Sequence, residues 1–298
     1  MKMQRSGQVD ISVVIPTYGR PRRVTNTVGI IKGCDPSPAE IIVHVDGEDH
    51  ETANMIRRRH PDVRILISKT NRGPGGGRNL LIKSATYEIV ASFDDDSYPV
   101  DENYFARLKD TFTAFPNASV ISSNVFTRDG SKPELSPKAF WVHTFTGCGC
   151  AYRRSDFLKI DGYLELTLAY GAEEQDVALQ MHSCGFRMLQ TDWLRVFHDT
   201  AYGHRQNVAT RAAWISNVAL LIALRYPLSL YSYGLLQIGN AMLFAIKQRR
   251  STAIVHALVQ FPRKLAKHWH RRTPLSAHRV LHYLRYRSEK VLAAWPAS

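Results

Sequence analysis

From residue 11 to residue 96 the chain alternates short apolar runs with amphipathic stretches. The runs at 11–15, 41–45, 63–67 and 88–93 are rich in Val and Ile and lack a polar face, as strands covered on both sides do. Between them, 21–32, 50–60 and 75–86 carry apolar positions at helical spacing. Strand, helix, strand repeated three times predicts a doubly wound α/β sheet. The next stretch, 97–203, reads as mixed: a helix near 101–115, a strand near 118–123, a polar loop near 128–138, a short strand ending at Tyr152, a helix near 172–184 and strand-like runs to His198. Beyond Gln206 the pattern is helical to the end.

In doubly wound sheets ligands sit at the carboxyl ends of the strands, so the residues after each run carry the interest. After the first come Pro16, Thr17 and Tyr18, after the second Asp46, after the third a glycine-rich stretch from Asn71 to Asn79 that contains Arg78, and after the fourth Asp94, Asp95 and Asp96. Gly73 to Gly77 lacks the Lys-Ser/Thr ending of a P-loop and does not fit the dinucleotide fingerprint. It predicts a helix that starts with its backbone tight against a cleft.

Charge divides the chain in two. Residues 1–203 hold 24 Lys/Arg against 25 Asp/Glu, and residues 204–298 hold 15 against Glu289 alone. A segment so poor in acid attracts phosphate-bearing partners. No recognised nucleic-acid motif or aromatic platform occurs in it, so nucleic acid is not the expected partner. Cys34, Cys148, Cys150 and Cys184 are too few and too irregular for a disulfide framework and read as reduced packing residues. With a short polar start and a break at Pro16, no signal peptide is expected.

Three consecutive aspartates at a strand end repel one another and call for positive compensation, for which Mg²⁺ or Mn²⁺ with carboxylate and phosphate oxygens is suited. Glu173, Glu174 and Asp176 open a helix, where a carboxylate can act as general base or simply complement the helix dipole. His198 ends the run that begins at Trp193 and is a candidate third ligand, with His204 as its neighbour.

The ordered set Val-Ile-Pro-Thr-Tyr (14–18), Val-Asp (45–46), Asn-Arg-Gly with Gly-Arg-Asn (71–79) and Phe-Asp-Asp-Asp (93–96) resembles the family 2 glycosyltransferases over about residues 10–200. That resemblance implies an α/β fold of GT-A type, a doubly wound mixed sheet with a helical, basic carboxyl-terminal extension. It implies an inverting, metal-dependent hexosyl- or deoxyhexosyltransferase that uses a nucleotide-diphosphate sugar and Mn²⁺ or Mg²⁺. By the same resemblance Pro16, Thr17 and Tyr18 line the nucleotide pocket, Asp46 faces the base and Arg78 lies near the diphosphate. Asp94 and Asp96 take the acidic positions of the DxD motif, with Asp96 the direct metal ligand and Asp95 grouped with the nucleotide-binding residues. His198 completes the metal site. Glu174 falls on the base position, where Asp is commoner, which keeps Glu173 and Asp176 as alternatives. The segment 146–154, with Cys148 and Cys150, floors the acceptor site. The competing expectation is a non-catalytic nucleotide-sugar-binding or membrane scaffold protein on the same fold.

Two domains follow: 1–203, binding the nucleotide sugar and catalytic, and 204–298, helical, basic and turned to the membrane and acceptor. Residues 226–246 carry no formal charge, a length that could span a bilayer, but Pro227, Ser229, Ser232, Gln237 and Asn240 dilute them and predict packed or interfacial helices. Residues 259–272 mix Lys/Arg with Phe261, Leu265 and Trp269, which suits anionic lipid headgroups. The expected acceptor is a glycan or a lipid-linked glycan, and the expected location is the cytoplasm, peripheral on the inner face of the cell membrane.

Overall fold

The structure is a computed structural model that describes residues 7–168, 172–200 and 207–291. His204 lies outside the described residues. Four strands, β1 (Val9–Thr17), β2 (Pro38–Val45), β3 (Arg64–Ile67) and β4 (Ile89–Ser92), run parallel in the order β3-β2-β1-β4. They are joined by α1 (Pro21–Lys32), α2 (His50–Arg59) and α3 (Gly73–Ser84). The apolar runs do not alternate with polar residues because both sheet faces are covered: Val13 and Ile15 join a core with Val24 and Val28 of α1, and Val14 joins the opposite core with Leu81 and Ile82 of α3. Asp49 caps α2 by accepting the Thr52 N–H at 3.1 Å.

The sheet continues as a mixed one. Along the chain follow β5 (Ser97–Pro99), α4 (Tyr104–Ala114), β6 (Ala118–Thr127), β7 (Ala139–Val142), β8 (Cys150–Arg153), the one-turn α5 (Arg154–Phe157), α6 (Glu173–Ser183) and β9 (Arg187–His198). β8 lies antiparallel between β4 and β6, β9 runs parallel to β6, and β5 and β7 pair antiparallel with β9. The alternating pattern of residues 11–96 reports only the parallel half. β5 and β7 are three and four residues long, too short to leave a period in the sequence.

Helices α7 (Val208–Arg225), α8 (Tyr231–Lys247), α9 (Thr252–His268) and α10 (Ala277–Arg285) follow, with a two-residue β10 (Glu289–Lys290) pairing with β7. Leu221 and Ile222 of α7 and Val280 and Tyr283 of α10 share a core with Val14, Ile42 and the α6 residues Val177 and Met181. α7 also contributes Leu220 and Leu224 beneath Leu164 and Leu166. α8 and α9 pack on α7 through Ala241, Ala245, Ala253 and Ala257. Among the described residues, α7 is the one helix long and apolar enough to cross a membrane, and 61% of that stretch is buried in protein.

Candidate active site

The carboxyl ends of β1, β2 and β4 open onto a cavity of about 580 Å³. Pro16, Thr17, Tyr18, Asp46, Arg78, Asp94, Asp95, Asp96, Glu173, Glu174 and His198, chosen from the sequence, all line it.

The triplet is built by a tight turn and a short strand. The Asp94 N–H donates to Ser97 Oγ at 2.7 Å, and β5 then pairs Ser97 opposite His198. That register carries His198, a hundred residues later, to the acids: its Nε2 is 3.1 Å from Asp96 Oδ1 and 3.9 Å from Asp94 Oδ2. Cys148 Sγ lies 3.4 Å from the other ring nitrogen, and Asp94, Cys148 and His198 offer ligand atoms within 4.8 Å of one another. The thiol is pushed well up by burial, with Asp94 adding to the effect.

Positive compensation comes from arginines that the sequence reading passed over. Arg20 reaches Asp95 at 3.0 Å and Asp96 at 3.2 Å, and Arg23 reaches Asp96 at 2.9 Å. Asp95 also accepts from Thr17 Oγ1 at 2.8 Å. Burial pushes the Asp95 carboxyl up to about 6 despite Arg20. Burial works the same way on Asp96, but the hydrogen bond and charge of His198, with Arg20 and Arg23, hold it below the usual carboxylate range. The signal was present in the sequence, since three clustered acids require cations and Arg20 and Arg23 follow the first strand directly.

Arg78 is 1% exposed and ties the two acidic walls together. Its guanidinium bonds Asp94 on one side, reaches Ser92 Oγ at 3.1 Å, and lies 3.9 Å from Glu173 Oε1 on the other. It comes from α3, whose glycines admit the close approach: Gly73 has φ +73°, and a Cβ there would sit 1.9 Å from the Leu166 carbonyl oxygen. The start of α3 is held by Asp46, 3% exposed, whose carboxylate accepts the N–H groups of Arg72 and Gly73 at 2.9 Å. Tyr18 stands 58% exposed at the mouth, with its ring beside Gly47.

On the opposite wall α6 presents its first turn. Glu173 is buried, and its Oε2 has no hydrogen-bond partner. Burial, then the neighbouring charge of Glu174, pushes its carboxyl well up. Glu174 is half-buried and also raised by burial, while Arg78 and the backbone N–H of Gly147 pull the other way. Asp176, kept as an alternative base, faces away from the cavity: it is fully buried and paired with Arg225. Asp176 stands two residues after Glu174, about 200° round the helix, so it points away from Glu174 and meets Arg225 of α7 instead. Cys150 likewise belongs to the core, bonded to Gly147 O and Tyr152 Oη, so of the two cysteines only Cys148 lines the cavity. Cys184, expected to be a packing residue, is exposed.

Comparison with known proteins gives this arrangement a context. A model described as glycosyl transferase family 2 matches residues 12–161. Poly-β-1,6-N-acetyl-D-glucosamine synthase of Staphylococcus epidermidis is 28% identical over 123 residues, 41% of this chain and 30% of that protein. GalNAc(5)-diNAcBac-PP-undecaprenol β-1,3-glucosyltransferase of Campylobacter jejuni is 27% identical over 90 residues, 29% of each chain. Both matches thus span less than a third of the relative's length. Among solved structures, the mannosyltransferase PcManGT of Pyrobaculum calidifontis, in complex with GDP-Man and Mn²⁺, superposes with a TM-score of 0.57 at 16% identity, covering 85% of this chain and 87% of that one. The fold is that of the GT-A glycosyltransferases. Since the family match takes in half of the sequence, and with it the strand ends, the triplet and Arg78, this chain belongs to glycosyl transferase family 2.

Proposed function

We propose that the protein transfers a hexosyl or deoxyhexosyl group from a nucleotide-diphosphate sugar to a hydroxyl of a glycan or lipid-linked acceptor, with inversion at the anomeric carbon. The observation that carries this reading is Arg78, which bridges Asp94 on one wall of the cavity and Glu173 on the other, so that a charge-neutralising wall faces a proton-accepting one.

Asp94, Asp96 and His198 fit a divalent ion by the chemistry of their donors: the His198 imidazole lies 3.1 Å from the Asp96 carboxylate and 3.9 Å from that of Asp94, and such donors suit Mn²⁺ or Mg²⁺. When bound there, such an ion supplies charge neutralisation to a leaving diphosphate. Arg78 adds a fixed cation beside the same oxygens. Tyr18 offers an aromatic face at the mouth, and Pro16, Thr17 and Asp46 shape the nucleotide pocket. Asp46 keeps lone pairs free beyond the two amides it accepts, enough to receive an imide N–H from a base.

Glu174 is the base. Its carboxylate takes the proton of the acceptor hydroxyl as that oxygen bonds to the anomeric carbon, and the bond from that carbon to the diphosphate oxygen breaks with its electron pair. Glu174 is better placed than Glu173, because it is the more open of the two. Glu173 positions Arg78. Residues 1–203 carry donor binding and chemistry, and residues 204–298 carry the acceptor side and an anionic membrane surface at the cytoplasmic inner face of the cell membrane. Undecaprenol-linked chemistry in the Campylobacter jejuni relative's name supports the lipid-linked acceptor.

The test is a thermal-shift screen of UDP-, GDP- and dTDP-sugars with and without Mn²⁺, since a ligand that binds only the native state raises the melting temperature. One donor should stabilise the protein, with Mn²⁺ required, and Asp96→Ala should lose both the shift and transfer. No shift from any nucleotide sugar, or normal turnover by Asp96→Ala, overturns the reading.

A further inference from the structure

Helices α8 and α9 are folded inside out. In α8 the residues packed against protein are the smallest, Gly234, Ala241 and Ala245, whereas Leu235, Leu236, Leu243 and Ile246 stand 52–68% exposed. At about 100° per residue those four exposed side chains fall on one stripe, opposite the small ones. α9 repeats the arrangement: Ala253 and Ala257 are buried, and Val255, Leu258 and Val259 are 57–61% exposed. A helix packed on a protein and facing water has the reverse pattern. Apolar surface gathered in this way marks a docking face.

Charge decides the occupant. No formal charge lies between Arg225 and Lys247, and cations flank the apolar stripe: Lys247 at the end of α8, Arg249 just after it, and Arg263 and Lys267 in the last turns of α9. With 15 Lys/Arg against one acid over residues 204–298, a second copy of the chain would meet a field of its own sign. An anionic lipid leaflet takes both the stripe and the cations. The 17 residues of α8 rise about 26 Å, short of the roughly 30 Å hydrocarbon core, and α9 turns back onto α7. We propose that the paired α8–α9 face inserts into the headgroup and upper acyl layer of an anionic bilayer and seats the protein there as a peripheral one.

The seat is one helix layer from the cleft. Lys264 of α9 donates to Ser216 Oγ at 2.7 Å and Asn217 Oδ1 at 2.6 Å of α7, and Asn217 Nδ2 donates to the Leu168 carbonyl at 3.1 Å. Leu168 lines the cavity. The inference gives a place to the membrane partner named above but does not rest on sugar transfer.

The test is flotation of the full chain with phosphatidylcholine vesicles, with and without phosphatidylglycerol, in the absence of donor. Wild type should float with the anionic vesicles. Leu236→Glu/Leu243→Glu should lower partitioning about tenfold or more at unchanged melting temperature, because both side chains are already exposed. Lys247→Glu/Arg263→Glu should remove the preference for phosphatidylglycerol. Absence of flotation by wild type, or undiminished flotation by the leucine variant, overturns the proposal. So does a dimer in sedimentation equilibrium that the leucine variant dissolves while vesicles are ignored. Donor-dependent thermal shifts, read separately, keep a failure here distinct from a failure of the catalytic reading.

Discussion

Arg225 and Asp176 form a fully buried ion pair, Nε to Oδ1 at 2.7 Å, that joins the end of α7 to the helix carrying Glu173 and Glu174. A second bond from Arg225 Nη1 reaches Asp161 at 2.8 Å. Removing one partner of such a pair strands the other charge without water. Arg225→Ala is therefore expected to cost about 3–5 kcal/mol, read as a fall in denaturant midpoint, whereas Arg225→Met/Asp176→Leu should recover much of the loss.

The two glutamates separate kinetically. Glu174→Gln should lower kcat by about 10²- to 10⁴-fold with donor affinity retained, as loss of a general base does. Glu173→Gln should act mainly through Arg78 and raise the donor KM. Because Glu174 is raised above its ordinary value by burial, the acid limb of the wild-type kcat profile should inflect above the usual carboxylate range. A limb unchanged in Glu174→Gln would reassign the base.

Gly73 allows no side chain. Its positive φ and the Leu166 carbonyl 1.9 Å from an added Cβ mean that Gly73→Ala must move either α3 or the 164–168 segment. The expected loss is more than about 3 kcal/mol by chemical denaturation. Gly19→Ala, with a similar φ but nothing near its Cβ, should lose much less.

Stability should fall on the acid side through His268. Burial pushes this imidazole down to about 4, and the charges of Lys267, Arg271, His270 and Lys264 add to the effect. Below the ordinary value of 6.5 the unfolded chain therefore binds a proton that the folded one refuses. The contribution is intact above 6.5 and is lost as pH falls toward 4. Melting temperatures at pH 7.5 and pH 5 should differ, and His268→Gln should narrow the difference.

Strands β1 to β4 and their helices were legible because burial on two faces leaves continuous apolar runs, and the strand ends then named the cavity residues. Partners were not legible. Nothing local to Asp176 distinguishes it from Glu174; the difference is Arg225, 49 positions away. Cys148 and Cys150 differ only in that Cys150 has entered β8 and turned to the core. The sequence pattern of α8 shows an apolar helix but not which face is inward, and here the face with the larger side chains is outward.

Arg20, Arg23 and Arg78 meet Asp94, Asp95 and Asp96 one for one. The triplet is thus close to electroneutral before any ligand arrives. A divalent cation entering alone leaves it positive, and a nucleotide diphosphate entering alone leaves it negative. Together they nearly cancel, so each should bind more tightly in the presence of the other, and the empty cleft should hold neither firmly.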